Sequence, residues 1–271
     1  MYVGIDIGGT KTLLATLSDE GALLDSAHFS TNHDYAQFIK DLGEHFDRLV
    51  GSETIRGIGV GIPGLLQREQ GTVVALGNLP WRDKPIRADI SAALKGLPIV
   101  IENDSKLGAL SEAQHLLGSY NDVLYITIST GIGGGLTRNG AIVAAMADSE
   151  IGKMPLLHDG KIEYWEDFAG GRAIIKRYGK LAAEINEPKS WKEIADHIAY
   201  GVAVASTVIQ PDAIVFGGGV GQFFDKFGSN VAAYMDKHLH AIAKRPKLLA
   251  AKHPDKAVIY GCYLAAKELT K

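Results

Sequence analysis

The chain lacks the features that mark secreted, membrane-spanning or nucleic-acid-binding proteins. It has one cysteine, Cys262, so an internal disulfide or a thiolate zinc cage is excluded and a reducing, cytoplasmic setting is expected. Its 28 Lys and Arg against 31 Asp and Glu predict no general affinity for nucleic acid or anionic membranes. No apolar run reaches membrane-spanning length, and the opening residues do not read as a signal peptide.

What the chain does contain is enough apolar sequence for a substantial core, since 46% of its 271 residues are hydrophobic. Near the start, residues 3–7 predict a buried strand, residues 8–11 a tight turn and residues 12–17 a returning strand. Between residues 35 and 49, apolar side chains recur every three or four positions, which predicts an amphipathic helix.

The middle of the chain repeats this organisation. Residues 97–101 predict a strand that ends at Glu102-Asn103-Asp104, and residues 105–117 have helical spacing. Residues 123–128 and 136–137 predict two strands around a glycine-rich turn, 129–135. This second strand–turn–strand unit resembles the first.

The last third adds a third glycine-rich strand end. Ser190 and Glu193 predict a capping box for a helix that runs to about residue 209, where Pro211 follows. Residues 213–216 predict a buried strand that leads into Gly217, Gly218 and Gly219. Residues 260–269 close the chain as a predicted helix.

These elements predict an α/β fold with mixed sheets, because strands alternate with helices while the strand–turn–strand units require antiparallel pairs. We expect two related lobes, residues 1–118 and 119–271, with a cleft between them. The C-terminal helix, about 260–271, is expected to pack back on the first lobe.

Two of the glycine turns suit a nucleoside triphosphate, since residues without Cβ let backbone N–H groups approach phosphate oxygens. Hydroxyl groups and a cation accompany them, and Asp6 offers a carboxylate for hydrated magnesium. The turn residues that carry this prediction are Gly8, Gly9, Thr10, Lys11, Thr130, Gly131 and Gly133. Neither turn is a Walker A loop or opens a Rossmann unit; taken singly, each also fits an ordinary hairpin turn.

Taken in order, these motifs resemble the ROK family of sugar kinases, within the actin/hexokinase/Hsp70 ATPase superfamily. The resemblance spans nearly the whole chain. It rests on these segments: Asp6-Ile-Gly-Gly-Thr-Lys11, Gly57-Ile-Gly-Val-Gly-Ile-Pro-Gly64, Asn78-Leu-Pro-Trp81, Glu102-Asn103-Asp104, Ser129-Thr-Gly-Ile-Gly-Gly-Gly135 and 211–219.

The resemblance implies a two-lobed, actin-like (ribonuclease H-like) fold that uses Mg²⁺ and ATP to phosphorylate a sugar, with Gly217–Gly219 on the adenosine side. It implies that Asp104 is the general base that accepts the proton of the attacking hydroxyl. Read without the resemblance, Asp104 also fits the N-cap of the following helix, a role that can coexist with catalysis. Homodimers are common in the family, so a homodimer is expected.

For the sugar, the resemblance implies contacts from Asn78, Asn103, Asp104, Glu150 and Glu166. The two glutamates can accept hydrogen bonds from adjacent hydroxyls and so distinguish epimers; by composition alone they read as solvated surface carboxylates. The substrate is expected to be a hexose, in glucokinase-like or fructokinase-like use, with an N-acetylhexosamine as the alternative.

The sequence departs from the family pattern at two points. Lys153 stands where the family has histidine, and an ammonium group supplies only donors, so the pattern of sugar contacts changes there. The cysteine-rich zinc loop is absent, and His158 alone cannot hold zinc, so no zinc is predicted and His158 is expected to be a solvated loop residue.

Two further functions stay open at this stage. A sugar-sensing regulator of the same family would carry a DNA-binding segment, for which residues ahead of Asp6 leave no room. A degenerate kinase would bind nucleotide while Lys153 abolishes sugar turnover. Sugar-dependent ATP consumption separates the three readings.

Overall fold

The structure, a computed structural model, describes residues 1–271, and the chain divides into two compact units. Unit 1 comprises Met1–Ser111 together with Val258–Lys271, and unit 2 comprises Glu112–Ala257. The lobe boundaries expected from the sequence, 1–118 and 119–271, stay a prediction.

Unit 1 contains eight strands and two helices, and a third helix begins in unit 1 and ends just inside unit 2. In chain order they are β1 (Tyr2–Ile7), β2 (Lys11–Leu17), β3 (Leu23–Ser30), α1 (Tyr35–Val50), β4 (Gly57–Ile62), β5 (Leu65–Gln67), β6 (Thr72–Ala75), β7 (Arg82–Lys84), α2 (Ile86–Ala93), β8 (Ile99–Asn103) and α3 (Asp104–Gln114).

The main sheet of unit 1 is mixed and has the order β3-β2-β1-β4-β8. β1 pairs antiparallel with β2, as the first strand–turn–strand pattern predicts, and β2 pairs antiparallel with β3. β1, β4 and β8 run parallel, so their carboxyl ends meet at one edge of the sheet. Asp6, Gly61 and Glu102 lie in one row across these strands.

Unit 2 contains seven strands and five helices. They are β9 (Asp122–Ile128), β10 (Ile132–Arg138), β11 (Ala141–Ile142), β12 (Pro155–His158), β13 (Lys161–Tyr164), α4 (Trp165–Ala169), α5 (Gly171–Tyr178), α6 (Pro188–Ile209), β14 (Ala213–Gly217), α7 (Gly218–Gly221), α8 (Phe224–His238) and β15 (Lys247–Ala250).

The main sheet of unit 2 has the order β11-β10-β9-β14-β15. β9 and β10 pair antiparallel, as predicted, while β9, β14 and β15 run parallel. Its core is formed by buried side chains of the sheet and of α4, α6 and α8, among them Trp165, Ile198 and Phe227. β12 and β13 form a separate two-stranded hairpin.

The last helix, α9 (Ala257–Leu269), packs on the unit 1 sheet, and alternating glycines in β4 allow this. A Cβ at Gly59 would lie 2.0 Å from the carbonyl oxygen of Cys262, and one at Gly61 would lie 2.6 Å from a methyl of Val258. The intervening residues Ile58 and Val60 are fully buried. Side chains alternate across a strand, so the pattern Gly-Ile-Gly-Val-Gly gives β4 two different faces. The glycine face has no side chains and allows α9 to pack closely, and the other face is apolar.

Three sequence-based predictions of local structure were wrong. α6 begins at Pro188, ahead of the predicted Ser190–Glu193 capping box, and no side chain caps it; proline suits the first helical position because its φ is already helical. β8 begins at Ile99 instead of residue 97, although it ends at Asn103, within the segment where the sequence predicted its end. The second glycine turn ends at Gly131, since Gly133 pairs with Thr127 inside β10.

The glycine that follows explains why β10 looks like a turn in the sequence. A Cβ at Gly134 would lie 2.3 Å from the Cδ1 of Ile151, which belongs to a 3₁₀ turn, Ile151–Lys153. Glycine is therefore needed here for close packing, and this requirement is invisible in the linear sequence. No helix combines the length and the apolar character needed to cross a bilayer.

Candidate active site

The first glycine turn of unit 1 is held in shape by its own backbone and by Thr31. Gly8 N–H donates to the Lys11 carbonyl at 3.1 Å, and Thr31 N–H donates to the Thr10 carbonyl at 3.0 Å. The Thr31 hydroxyl donates to the Gly8 carbonyl at 2.8 Å. The side chains of Thr10 and Lys11 are exposed, so a hydroxyl and an ammonium group are available beside the turn.

Asn78 lies against this turn, although it is far away in the sequence. A Cβ at Gly9 would come within 2.5 Å of the Asn78 Cβ. A side chain at position 9 would therefore displace Asn78, which is itself exposed. The structure thus brings one predicted sugar-binding residue to the first predicted phosphate turn.

Asp6 and Asp104 lie close enough at the carboxyl edge of the parallel strands to interact electrostatically. Burial, and to a smaller degree the charge of Asp104, raises the pKa of Asp6 to about 7, although part of the Asp6 surface remains accessible. Burial also raises the pKa of Asp104, against the opposing effects of the Ser105 N–H and the charge of Lys106. Two partly buried carboxyl groups with raised pKa values are typical of functional sites.

Asn103, rather than Asp104, provides the side-chain cap of α3. Its amide oxygen accepts from Ser105 N–H at 3.0 Å and from the Ser105 hydroxyl at 2.6 Å. Its amide nitrogen donates to the Gly64 carbonyl at 3.2 Å. Asp104 occupies the first turn of α3, with its carboxylate accepting from Ser105 N–H at 2.7 Å. A sugar contact by the buried Asn103 stays a prediction.

The sequence assigned no role to two charged residues near Asp104. Arg68, from the β5–β6 hairpin, forms a two-pronged ion pair with Glu102, with nitrogen–oxygen distances of 2.7 and 2.8 Å. Lys106 is buried, with 1% of its surface exposed, and its charge opposes the rise in the pKa of Asp104. No motif marks Arg68, because its pairing depends on the fold; a lysine in a helical pattern ordinarily predicts a solvated face.

The residues of unit 1 fit hydrated magnesium. The donors are carboxylate oxygens, which this cation prefers, and Mg²⁺ usually keeps several waters, so one or two protein ligands suffice. The Asp6 carboxylate lies at the end of β1 beside a turn of small residues. A cation there would oppose the burial and the mutual repulsion that raise the pKa of Asp6.

In unit 2, the second glycine turn is short. Ser129 N–H donates to the Gly131 carbonyl at 2.9 Å, and β10 starts at Ile132. The Thr130 side chain is exposed. Glu166 approaches this turn, and its Oε2 accepts from Ile132 N–H at 3.1 Å.

The third glycine segment lies beside the second in the same sheet. Gly217, the last residue of β14, pairs with Thr127 of the parallel strand β9. Gly218 has φ +82°, and a Cβ there would lie 2.6 Å from the Ile128 carbonyl oxygen. Glycine is therefore required for both conformation and space. Gly219 is exposed, and a Cβ there would meet nothing within 4 Å.

Lys153 forms an ion pair with Glu166, and Glu150 precedes Lys153 at the start of the same 3₁₀ turn. The hydrogen bond with Glu166 raises the pKa of Lys153. Glu150 is exposed, and its carbonyl accepts from Lys153 N–H at 2.9 Å. Three of the predicted sugar-binding residues therefore lie on neighbouring segments of unit 2.

His158 is not a solvated loop residue, contrary to expectation. Its ring stacks on Phe168 with centroids 4.2 Å apart, and its Nδ1 lies 2.8 Å from a carboxylate oxygen of Glu163. The short hairpin of β12 and β13 brings these groups together, which linear spacing did not indicate.

Comparison with known proteins agrees with this arrangement. The chain is 29% identical to a glucokinase of Halalkalibacterium halodurans over 89% of this chain and 86% of the relative. It is 29% identical to an N-acetyl-D-glucosamine kinase of Salmonella newport over 94% of this chain and 95% of the relative.

A solved structure of similar fold is the ROK family glucokinase of Streptomyces griseus in complex with glucose and AMPPNP. It superposes with a TM-score of 0.84 at 23% identity, covering 98% of this chain and 99% of that chain. The α/β fold with mixed sheets is that of the actin-like ATPases. The sequence profile of the ROK family matches residues 2–268, and the chain therefore belongs to the ROK family.

Proposed function

We propose that this chain is an ATP-dependent sugar kinase that transfers the γ-phosphoryl group of ATP to a hydroxyl of a hexose. The observation that carries the proposal is the position of Asp104, on the first turn of α3 directly after β8, at the same edge of the parallel strands as Asp6 of β1. Membership of the ROK family, with relatives named glucokinase and N-acetyl-D-glucosamine kinase, supports it.

Asp104 acts as the general base in this proposal. Its carboxylate accepts the hydroxyl proton while the sugar oxygen bonds to the γ-phosphorus, the bond from that phosphorus to the bridging oxygen breaks, and ADP leaves. The raised pKa of Asp104 favours this role, because a base is most effective when its pKa approaches the working pH. The charge of Lys106 and the hydrogen bond from the Ser105 N–H oppose this rise in the pKa of Asp104.

The glycine turns hold the nucleotide. In unit 1, Gly9 offers a backbone N–H group next to Gly8, whose own N–H closes the turn on the Lys11 carbonyl, and Thr10 and Lys11 are its polar neighbours. In unit 2, Thr130 and Gly131 do the same for phosphate, and Gly217–Gly219 serve the adenosine side. Asp6 would hold magnesium through water, and the ion supplies neutralisation of phosphate charge when bound.

The sugar is recognised by Asn78, Asn103, Glu150, Lys153 and Glu166. Lys153 brings ammonium donors that favour acceptor oxygens of the sugar, while the carboxylates favour its hydroxyls. A homodimer in a reducing cytoplasm belongs to the same proposal. The homodimer is proposed because dimers are common in the family, and the reducing compartment because Cys262 is the single cysteine and is buried.

An N-acetylhexosamine is the second candidate acceptor. It is favoured by the 29% identity with the Salmonella N-acetyl-D-glucosamine kinase over 94% of this chain. A coupled ADP-release assay across glucose, fructose, mannose and the N-acetylhexosamines, with and without Mg²⁺, tests both candidates. Sugar-dependent ADP release is expected with one of these acceptors; nucleotide binding without any sugar-dependent turnover would favour a sensor or a degenerate kinase.

A further inference from the structure

Lys153 is held by two groups from other segments of unit 2. Its Nζ forms the ion pair with Glu166 of α4, and it lies 5.8 Å from the centroid of the Tyr164 ring at the end of β13. About half of the Lys153 side chain is exposed. The lysine therefore links the β12–β13 hairpin to Glu166.

Glu166 extends this link to the second glycine turn. One oxygen contacts Lys153, and the other accepts from Ile132 N–H at 3.1 Å. The carboxylate also lies against Gly131, where a Cβ would come within 2.4 Å of Oε2. A full negative charge thus sits directly beside the turn assigned to phosphate.

The backbone around the turn holds it from the other side. Gly171 N–H donates to the Ser129 carbonyl at 2.8 Å, and Arg172 N–H donates to the Thr130 carbonyl at 2.9 Å. Gly152 is equally close, since a Cβ there would lie 1.9 Å from the Ile132 carbonyl oxygen. This close packing places the 3₁₀ turn that carries Lys153 against the start of β10.

Charge gives this arrangement a consequence for nucleotide binding. ATP brings several negative charges to the turn, and an uncompensated carboxylate beside it would repel them. Lys153 supplies the compensating positive charge, and the same contact orients Glu166 toward the Ile132 N–H. Glu150 and Asp167 add further negative charge near Lys153.

We propose that Lys153 is a positioning residue for the second glycine turn: it neutralises and orients Glu166, and thereby sets the affinity for nucleotide even when no sugar is bound. This rests on the proposed function, because it assumes that the turn receives phosphate. It assigns to Lys153 an effect on the phosphoryl donor in addition to any contact with the acceptor sugar.

The test measures the affinity of the full chain for Mg-ATP without sugar, by titration calorimetry at low and high salt. We expect Lys153→Met to weaken binding by about two- to tenfold at low salt, and by less at high salt. Lys153→Arg should keep near-normal affinity. Lys161→Met removes an exposed lysine from β13, which is part of the nearby hairpin, and should leave the affinity for Mg-ATP unchanged.

A charge-compensating variant separates neutralisation from simple disruption. Adding Glu166→Gln to Lys153→Met removes the uncompensated carboxylate, so affinity should recover toward the wild-type value. Wild-type affinity in Lys153→Met, or no recovery in the double variant while both variants melt like the wild type, would overturn the proposal.

Amide exchange at Ile132 gives a readout that does not depend on ATP. If the wild-type chain binds no nucleotide, the proposed kinase function fails. Amide exchange still tests whether Lys153 orients Glu166 toward the Ile132 N–H. Faster exchange of the Ile132 N–H in Lys153→Met than in the wild type supports the orientation of Glu166 by Lys153. Equal exchange rates would contradict it.

Discussion

The two units share one sheet pattern and differ in the chemistry at its edge. Each sheet has five strands, in which two antiparallel pairings are followed by two parallel ones: β3-β2-β1-β4-β8 in unit 1 and β11-β10-β9-β14-β15 in unit 2. Asp6 and Thr127 stand at equivalent places, one residue before the end of the first parallel strand. Each pairs with a glycine of the next strand, Gly61 or Gly217.

The exchange of carboxylate for hydroxyl separates the roles of the two edges. Unit 1 carries Asp6 and Asp104, both with raised pKa values, and so suits proton transfer and magnesium. The unit 2 edge carries Thr127, Ser129 and Thr130 among glycines, which suits phosphate oxygens. One topology therefore supports two kinds of chemistry, because strand pairing positions residues without dictating which side chain stands there.

The largest expected effect tests the acidic edge of unit 1. Asp104→Asn should lower kcat by ~10²–10⁴-fold while leaving sugar and Mg-ATP affinity nearly intact, because the amide keeps the shape but accepts no proton. Steady-state kinetics and calorimetry measure the two quantities. Asp83→Asn, at an exposed position of β7, is the matched control. Undiminished turnover in Asp104→Asn would show that Asp104 is not the general base.

The pH dependence of stability distinguishes the two edges further. With its pKa raised from 3.8 to about 7, Asp6 favours folding below pH 3.8 and progressively loses that contribution as the pH rises to about 7. Asp6→Asn should therefore stabilise unit 1 more at pH 8 than at pH 5, by at most ~3 kcal/mol. Thermal melts at both pH values measure this, and Thr127→Val in unit 2 should show no such pH dependence. An equal gain for Asp6→Asn at both pH values would show that Asp6 is not desolvated.

Added bulk in unit 1 should lower its stability, because β4 packs closely against α9. Gly59→Ala would place a methyl 2.0 Å from the Cys262 carbonyl oxygen, so we expect unit 1 to lose about 2–3 kcal/mol. Hydrogen exchange resolves the two units, and the amides of unit 2 should keep their protection. Full stability of Gly59→Ala would mean that α9 can move away from β4 at little cost.

In unit 2, an added methyl group at the second glycine turn should weaken the binding of Mg-ATP. Gly131→Ala would push a methyl to 2.4 Å from Glu166 Oε2, so the carboxylate and the turn must shift. About tenfold weaker binding of Mg-ATP is expected, equivalent to about 1.4 kcal/mol, measured by calorimetry. Gly77→Ala, where a Cβ meets nothing within 4 Å, is the control and should bind normally. Normal binding by Gly131→Ala would place the nucleotide elsewhere.

The smallest expected effect is a gain in stability. Gly43 lies inside α1, and a Cβ there meets only the Ala93 carbonyl oxygen at 3.7 Å, an ordinary contact. Gly43→Ala should stabilise unit 1 by about 0.5–1 kcal/mol, since alanine loses less backbone entropy in a helix. Denaturant unfolding measures the gain. A loss instead would show that unit 1 tolerates no added methyl even at an open site.

Much of the fold was predictable because hydrophobic periodicity is local. The pairing of β1 with β2 and of β9 with β10 was confirmed, as was the end of α6 at residue 209 ahead of Pro211. The turn predicted at 129–135 was partly wrong, since glycine serves equally well for turning and for close packing. The glycine at 134 packs on Ile151, which a linear pattern cannot reveal.

By itself, the sequence determined the fold class, the family and the glycine segments at the strand ends, because these depend on periodicity and on motifs of adjacent residues. Only the tertiary structure decided the pairing of Lys153 with Glu166, of Arg68 with Glu102 and of Asn78 with Gly9. Each of these pairs joins segments that are separate in the chain. Their contacts and charges depend on distances that strand order and helix packing set in three dimensions.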